Sequence, residues 1–434
     1  MMNTPLDRIK LFSLGSVQMR TFHLTWLMFF ACFFGWFGLA PLMPIIRGDL
    51  GLTKVQVGNT IIASVSSTII ARLVIGRCCD VWGPRLTAVW LLLIGSIPVL
   101  LVGLARDYTS FLYFRLAIGV IGASFVITQF HMSLMFAPAV KGSAGAITGG
   151  WGNLGGGVTN MVMPVIFAGI VGFGYTPHLA WRYAMIVPAV MMWVIAFLYY
   201  RYTKDTPAGN FSQIDRGVKT GQGTAGWLAA LADWRILALT AAYAVCFGME
   251  ITFDNVASLY FVDNFHLSAG RAGLWAGVFG LMNLFARALG GILSDKAGFR
   301  WGLRGKGFLL AGVLLLEGLA LLAFARAGVL SLAIGLMLLF ALFLKMANGA
   351  VYGIVPFINE KRTGMIAGVV GAGGILGGMI FGFLFRSASL RYAEAFGVIG
   401  MAVVGVAVFV SLMRWSPEEG PAVLPAGEPV AARA

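Results

Sequence analysis

The chain has 434 residues, 59% of them hydrophobic and only 11% charged, and a formal net charge of +14. Soluble globules carry about a quarter charged residues, so a mean hydropathy of +0.87 excludes an ordinary soluble domain. The basic excess raises the question of nucleic acid, which the placement of the charges answers below.

The apolar residues fall into blocks of roughly 20, the length a helix needs to cross a bilayer. They lack the alternation of a β-barrel, and helices satisfy their own backbone hydrogen bonds in lipid. In chain order the expected spans are 22–46, 55–77, 86–105, 110–133, 143–170, 181–201, 235–262, 272–294, 307–326, 329–357, 364–386 and 393–414. The first block exceeds a signal-peptide core and no small-residue cleavage site follows it, so it is read as a retained span. Residues 1–21 form an N-terminal tail and 22–202 a first bundle of six helices. The polar stretch 203–234 reads as a linker to a second bundle, 235–415, and the Pro/Ala/Gly-rich segment 416–434 as a disordered tail. With the N-terminus inside, cytoplasmic segments hold more than twice as many Lys and Arg as external loops. That is the positive-inside rule. The charge reports topology rather than nucleic acid, and predicts a multi-pass protein of the cell (inner) membrane with both termini cytoplasmic. Cys32, Cys78, Cys79 and Cys246 lie in or beside spans without ligand spacing, implying neither a disulfide framework nor a metal site.

An internal repeat is visible. RLVIGRCCDVWGPR (72–85) and RALGGILSDKAGFR (287–300) superpose at a shift of 215, pairing Arg72 with Arg287, Gly76 with Gly291, Asp80 with Asp295, Gly83 with Gly298 and Arg85 with Arg300. Thr53 and Gly58 meet Ser268 and Gly273 at the same shift. GWGNLGGG (150–157) matches GAGGILGG (371–378) at 221. Two parallel halves with a shared mid-membrane site follow. The motif G-x-x-x-D-x-x-G-x-R after the second span of each half resembles the cytoplasmic loop signature of the major facilitator superfamily. Its logic is a helix stop at glycine, with Asp and Arg pairing near the helix ends to hold one conformation. FRLAIG (114–119), with Arg115 on the fourth span, resembles a further element of that superfamily.

Arg72 and Arg287 each lie one turn before the first glycine of that motif. A lone arginine there could snorkel to the headgroups; two at matching depth in both repeats favour a shared cavity. A guanidinium offers a planar fork of donors suited to a small planar oxyanion. The runs 145–160 and 364–382 hold more glycine than helices need, including Gly149 and Gly374. Close helix packing and approach of a ligand to bare backbone both fit. Asn153, inside the first run, is a polar group free to donate to an anion.

The paired glycine runs, each with an arginine one turn before its loop motif, resemble the nitrate–nitrite porter family of that superfamily. The resemblance spans all twelve expected helices. It implies nitrate or nitrite clamped by Arg72 and Arg287, with Asn153 as donor. It implies an aromatic wall of Phe33, Phe125, Tyr243 and Phe247, the last two at a spacing that shares one helix face.

Three charges remain inside spans. Glu250 and Asp254 share a face of the seventh, and Lys345 lies in the tenth. An ionisable group in a span is costly and needs a partner; Lys345 pairing with either acid makes them a structural pair or the carrier of a coupling proton. The seventh-span acids resemble the family's assimilatory branch, which tilts the reading to nitrate–proton symport, with Glu250 expected to be the chief acid deciding whether protons drive it. Nitrate/nitrite antiport, or another small anion, is the alternative. Glu317 is expected on a peripheral helix without a role, and His131 as structural. No nucleophile–base set, Walker motif or cofactor signature is present, so no enzyme is expected. The architecture implies a monomer.

Overall fold

The computed structural model describes residues 4–213, 233–358 and 363–415. Most of the expected linker and the expected tail lie outside these residues. Among them the chain is α-helical, apart from short 3-10 turns and two isolated bridges. Ten helices are long and apolar enough to cross a membrane. Val17–Phe37 stands outside those ten, and Ala269–Ala325 contains two passes, because the backbone leaves helical geometry at Trp301 and Gly302. Twelve passes are thereby accommodated.

Helix starts are set by local chemistry. Thr53 Oγ1 accepts from Gln56 N at 3.2 Å, and Ser268, its counterpart in the repeat, accepts from Arg271 N at 3.5 Å. Each hydroxyl satisfies an otherwise orphaned amide at a helix N-terminus. Five residues on, Gly58 and Gly273 explain the next repeated match. A Cβ at Gly58 would fall 2.4 Å from Arg386 Cα, and one at Gly273 2.3 Å from the Asn160 carbonyl. The second span thus touches the eleventh, and the eighth touches the fifth, at backbone distance.

Helix ends differ from expectation. Gly76 does not stop the second span, which runs as Lys54–Trp82 to Gly83, where φ is 86°. A glycine in a helix interior costs only about 1 kcal/mol, whereas a positive φ ends the helix outright. Gly291 and Gly298 likewise lie inside helix, which bends only at Trp301 and Gly302 (φ 61°). The loop motifs also pair differently. Arg85 donates to the Tyr200 carbonyl from Nε at 3.1 Å and lies over the Tyr200 ring, bracing the end of the sixth span. Asp295 pairs with Lys306 at 2.6 Å, while Arg300 stacks near Trp301.

The halves are joined from mid-membrane to the face opposite the one where the first span begins. Outermost, Arg47 forks onto Asp263 at 2.7 and 2.9 Å, Tyr392 Oη donates to Asp263 at 3.0 Å, and Lys54 Nζ donates to the Leu390 carbonyl. One level deeper, Arg115 donates to Asn255 Oδ1 at 2.9 Å and Ser258 Oγ to Asn160 Oδ1 at 3.2 Å. Gly157 and Gly280 abut, a Cβ on the latter falling 2.1 Å from Gly157 Cα. The bundle is closed at that face.

Candidate anion-binding site

Two local breaks position the site. The eighth span is helical over Ala269–Leu281, tightens to a 3-10 turn over Met282–Leu284, and resumes at Ala286 after Phe285 (φ −130°). Asn283 and Arg287 flank this break. The fourth span has a 3-10 stretch, Gly119–Ala123, just before Phe125. Mid-helix 3-10 turns recur at functional positions.

Arg72 Nη1 donates to the Gly371 carbonyl of the other half at 2.8 Å, and its guanidinium lies 5.6 Å from the Phe125 ring. Arg287, 7% exposed, donates from Nη2 to Tyr243 Oη at 3.2 Å. A ladder of rings joins the two arginines: Phe125 to Tyr352 at 6.2 Å, Tyr352 to Tyr243 at 5.1 Å, and Tyr243 stacked on Phe247 at 4.9 Å. Phe33 packs one step back, against Phe29, Trp36 and Phe37, and Phe29 meets Phe125.

The glycines clear space for this ladder. A Cβ at Gly149 would sit 3.3 Å from the Phe125 ring, and one at Gly374 2.7 Å from Tyr243 and 2.8 Å from Phe247. Gly150 faces Arg287 Cδ at 3.9 Å, and Gly371 faces both Tyr352 Oη and Arg72 Nη1. Asn153 lies one turn beyond Gly149 and Gly150 on the same helix face.

What distinguishes the site is its surplus of donors. Arg72 Nε and Nη2, Arg287 Nη1 and both polar atoms of the Asn153 side chain are buried without a hydrogen-bond partner. Among the described residues no carboxylate pairs with either arginine. Buried polar groups and unpaired cations are expensive, and a compact anion accepting in the guanidinium planes would offset that cost.

A second polar cluster lies beside it in the second half. Lys345 Nζ pairs with Glu250 Oε1 at 2.5 Å. Asn283 donates to Oε1 at 2.7 Å and Asn348 to Oε2 at 2.6 Å. Of the two acids proposed as partners for Lys345, Glu250 is the one engaged. Asp254 Oδ1 is buried without a partner, and Oδ2 faces Gly156 of the first half, where a Cβ would fall 3.0 Å away. Glu317 is fully buried with neither oxygen partnered, a burial the sequence did not reveal. His131 bridges Tyr199 Oη at 2.6 Å and the Lys204 carbonyl at 2.7 Å.

Tyr352 was missed. Its signal was a polar stripe on the tenth span, Lys345, Asn348 and Tyr352 at i, i+3 and i+7, which places all three on one face.

The family model of the Major Facilitator Superfamily matches residues 25–359. The high affinity nitrate transporter 2.5 of Arabidopsis thaliana is 38% identical over 92% of this chain and 80% of its own. The nitrate/nitrite transporter NrtP of Picosynechococcus is 29% identical over 83% of each. A bacterial homolog of the human lysosomal transporter Spinster, solved inward-facing and unoccupied, superposes with a TM-score of 0.67 at 16% identity, covering 92% of this chain and 95% of that one. The chain belongs to the Major Facilitator Superfamily, and within it to the nitrate–nitrite porter family. It is a membrane transporter, not an enzyme.

Proposed function

We propose that the chain imports nitrate, and nitrite with it, across the cell membrane by alternating access, coupled to protons. The observation that carries this is the convergence of unpartnered guanidinium and carboxamide groups from both halves around a ladder of aromatic rings. The names of the relatives supply the anion. The distribution of basic residues supports cytoplasmic termini, and on that reading the closed face is external. The bundles 22–202 and 235–415 rock about the site as a monomer.

An inside-negative potential opposes anion entry by about 2.3 kcal/mol per charge per 100 mV, so uptake needs a driving ion. Glu250 is already engaged by Lys345, Asn283 and Asn348. Asp254 is better placed. Among the described residues it makes no ion pair, it lies on the seam between the halves with Oδ1 unpartnered, and a carboxyl without such a partner in an apolar interior is cheapest with its proton on.

Antiport of nitrate against nitrite is the second reading, favoured by one observation. Arg72 and Arg287 lack carboxylate partners, so an anion lowers the cost of reorientation on both legs of the cycle. Nitrate uptake into proteoliposomes under imposed pH gradients, with and without internal nitrite, separates the two. Uptake driven by an acidic exterior without internal anion is the expected result; uptake that ignores pH and requires internal nitrite overturns symport.

A further inference from the structure

Arg115 is fully buried on the fourth span, between the halves and well away from the site above. Its guanidinium has three kinds of environment and none is an acid. Nη2 donates to Asn255 Oδ1 across the seam at 2.9 Å, Nη1 to the Trp36 carbonyl at 3.4 Å, and Nε has no partner. Asp254, next to Asn255, turns instead toward Gly156. Trp36 is the penultimate residue of its helix, so the cation rests on a helix C-terminus, whose partial negative charge stabilises it modestly. Holding two helices together needs only a neutral donor. Burying a full charge for that purpose carries a desolvation cost that a glutamine would avoid.

Depth gives the charge a use. Along the fourth span Arg115 precedes Phe125, the ring beside Arg72, by about 15 Å at 1.5 Å per residue. Along the seventh, Asn255 lies about 18 Å beyond Tyr243, the partner of Arg287. Both measures place Arg115 on the line from the central site to the closed face. It lies below the Arg47–Asp263 pair and on the surface that separates when that face opens. Its base is fixed against the first and second spans: Gly119 packs on the Ser64 carbonyl, and Gly122 on Thr68 and Trp36. When the halves part, the side chain loses Asn255 but keeps its position, and its fork then faces the new cavity.

We propose that Arg115 is an outer anion station: in the externally open state it binds the incoming oxyanion before Arg72 and Arg287 receive it, and in the closed state Asn255 takes the anion's place. This rests on the anion-transport reading above.

The test measures KM for nitrate separately at each face, in proteoliposomes of the full chain sorted by orientation. Arg115→Gln is expected to raise the outer-face KM about tenfold and leave the inner-face KM unchanged. Asn255→Ala removes the tether but not the station, so its outer-face KM stays at or below wild type. An unchanged outer-face KM in R115Q overturns the proposal, and so do equal shifts at both faces or matching behaviour of R115Q and N255A, which would make the contact a latch only. Should R115Q fail to reach the membrane, Arg115→Lys serves instead. A rise of about threefold at the outer face alone supports the station, and no rise overturns it. Normal nitrate binding in Arg72→Lys and Arg287→Lys would strike the central reading itself, a result distinct from any of these.

Discussion

In the first half, the charges buried well inside the spans, away from their ends, are arginines, Arg72 and Arg115. In the second, Arg287 is accompanied by Lys345, Glu250, Asp254 and Glu317. The halves match in their helix starts, their close-contact glycines and the depth of one arginine, yet every buried acid in a described span belongs to the second. The tethers differ too. Arg72 is held by a backbone carbonyl of the opposite half and Arg287 by a tyrosine of its own. Duplication therefore accounts for the paired arginines, while the buried acids belong to one side only.

Four sets of substitutions probe this contrast. The largest effect is expected from Lys345→Met, which strands Glu250 as a buried charge. A loss of about 3–5 kcal/mol, read as thermal unfolding in detergent, should be recovered largely by adding Glu250→Gln. A harmless K345M would mean the pair is not the framework of the second half. Next, Arg72→Lys and Arg287→Lys each replace a planar fork by a point charge and should weaken nitrate binding about a hundredfold in calorimetry. Equal losses would confirm that the halves contribute alike despite their different tethers. Asp254→Asn should cut uptake driven by a pH gradient about tenfold while sparing nitrate exchange at zero gradient; loss of both would assign Asp254 to packing. The smallest effect belongs to Tyr352→Phe. Removing one hydroxyl beside Arg72 should raise the Kd for nitrate by roughly two- to fivefold, in line with a single neutral hydrogen bond.

The helical fold was legible because block length and repeat offset are one-dimensional quantities. The central arginines were legible because charge in an apolar run is conspicuous and the repeat doubled the signal. Partner choice was not. Whether Lys345 meets Glu250 or Asp254 depends on helix rotation, and both acids lie on the same face of the seventh span. Glu317 was placed on a peripheral helix, yet Gly318 lets the ninth span close onto Gly400 and Val404 of the twelfth, and its side chain is enclosed. Tyr352 is one tyrosine among 11, singled out only by the company it keeps along its helix. Gly76 misled because glycine's cost in a helix is small unless the backbone demands a positive φ there.

The contact between Gly157 and Gly280 has a genetic consequence. Most tight interfaces tolerate a bulky substitution on one side if the other side shrinks, so revertants map to the facing residue. Here both sides already carry a lone hydrogen, and a Cβ on either would fall 2.1–2.6 Å from the other's Cα. No smaller residue exists to make room. Suppressors of an alanine at either position must then arise at a distance, in residues that set how far apart the fifth and eighth spans stand. A screen for them would map the elements that govern closure of the face sealed by the Arg47–Asp263 pair.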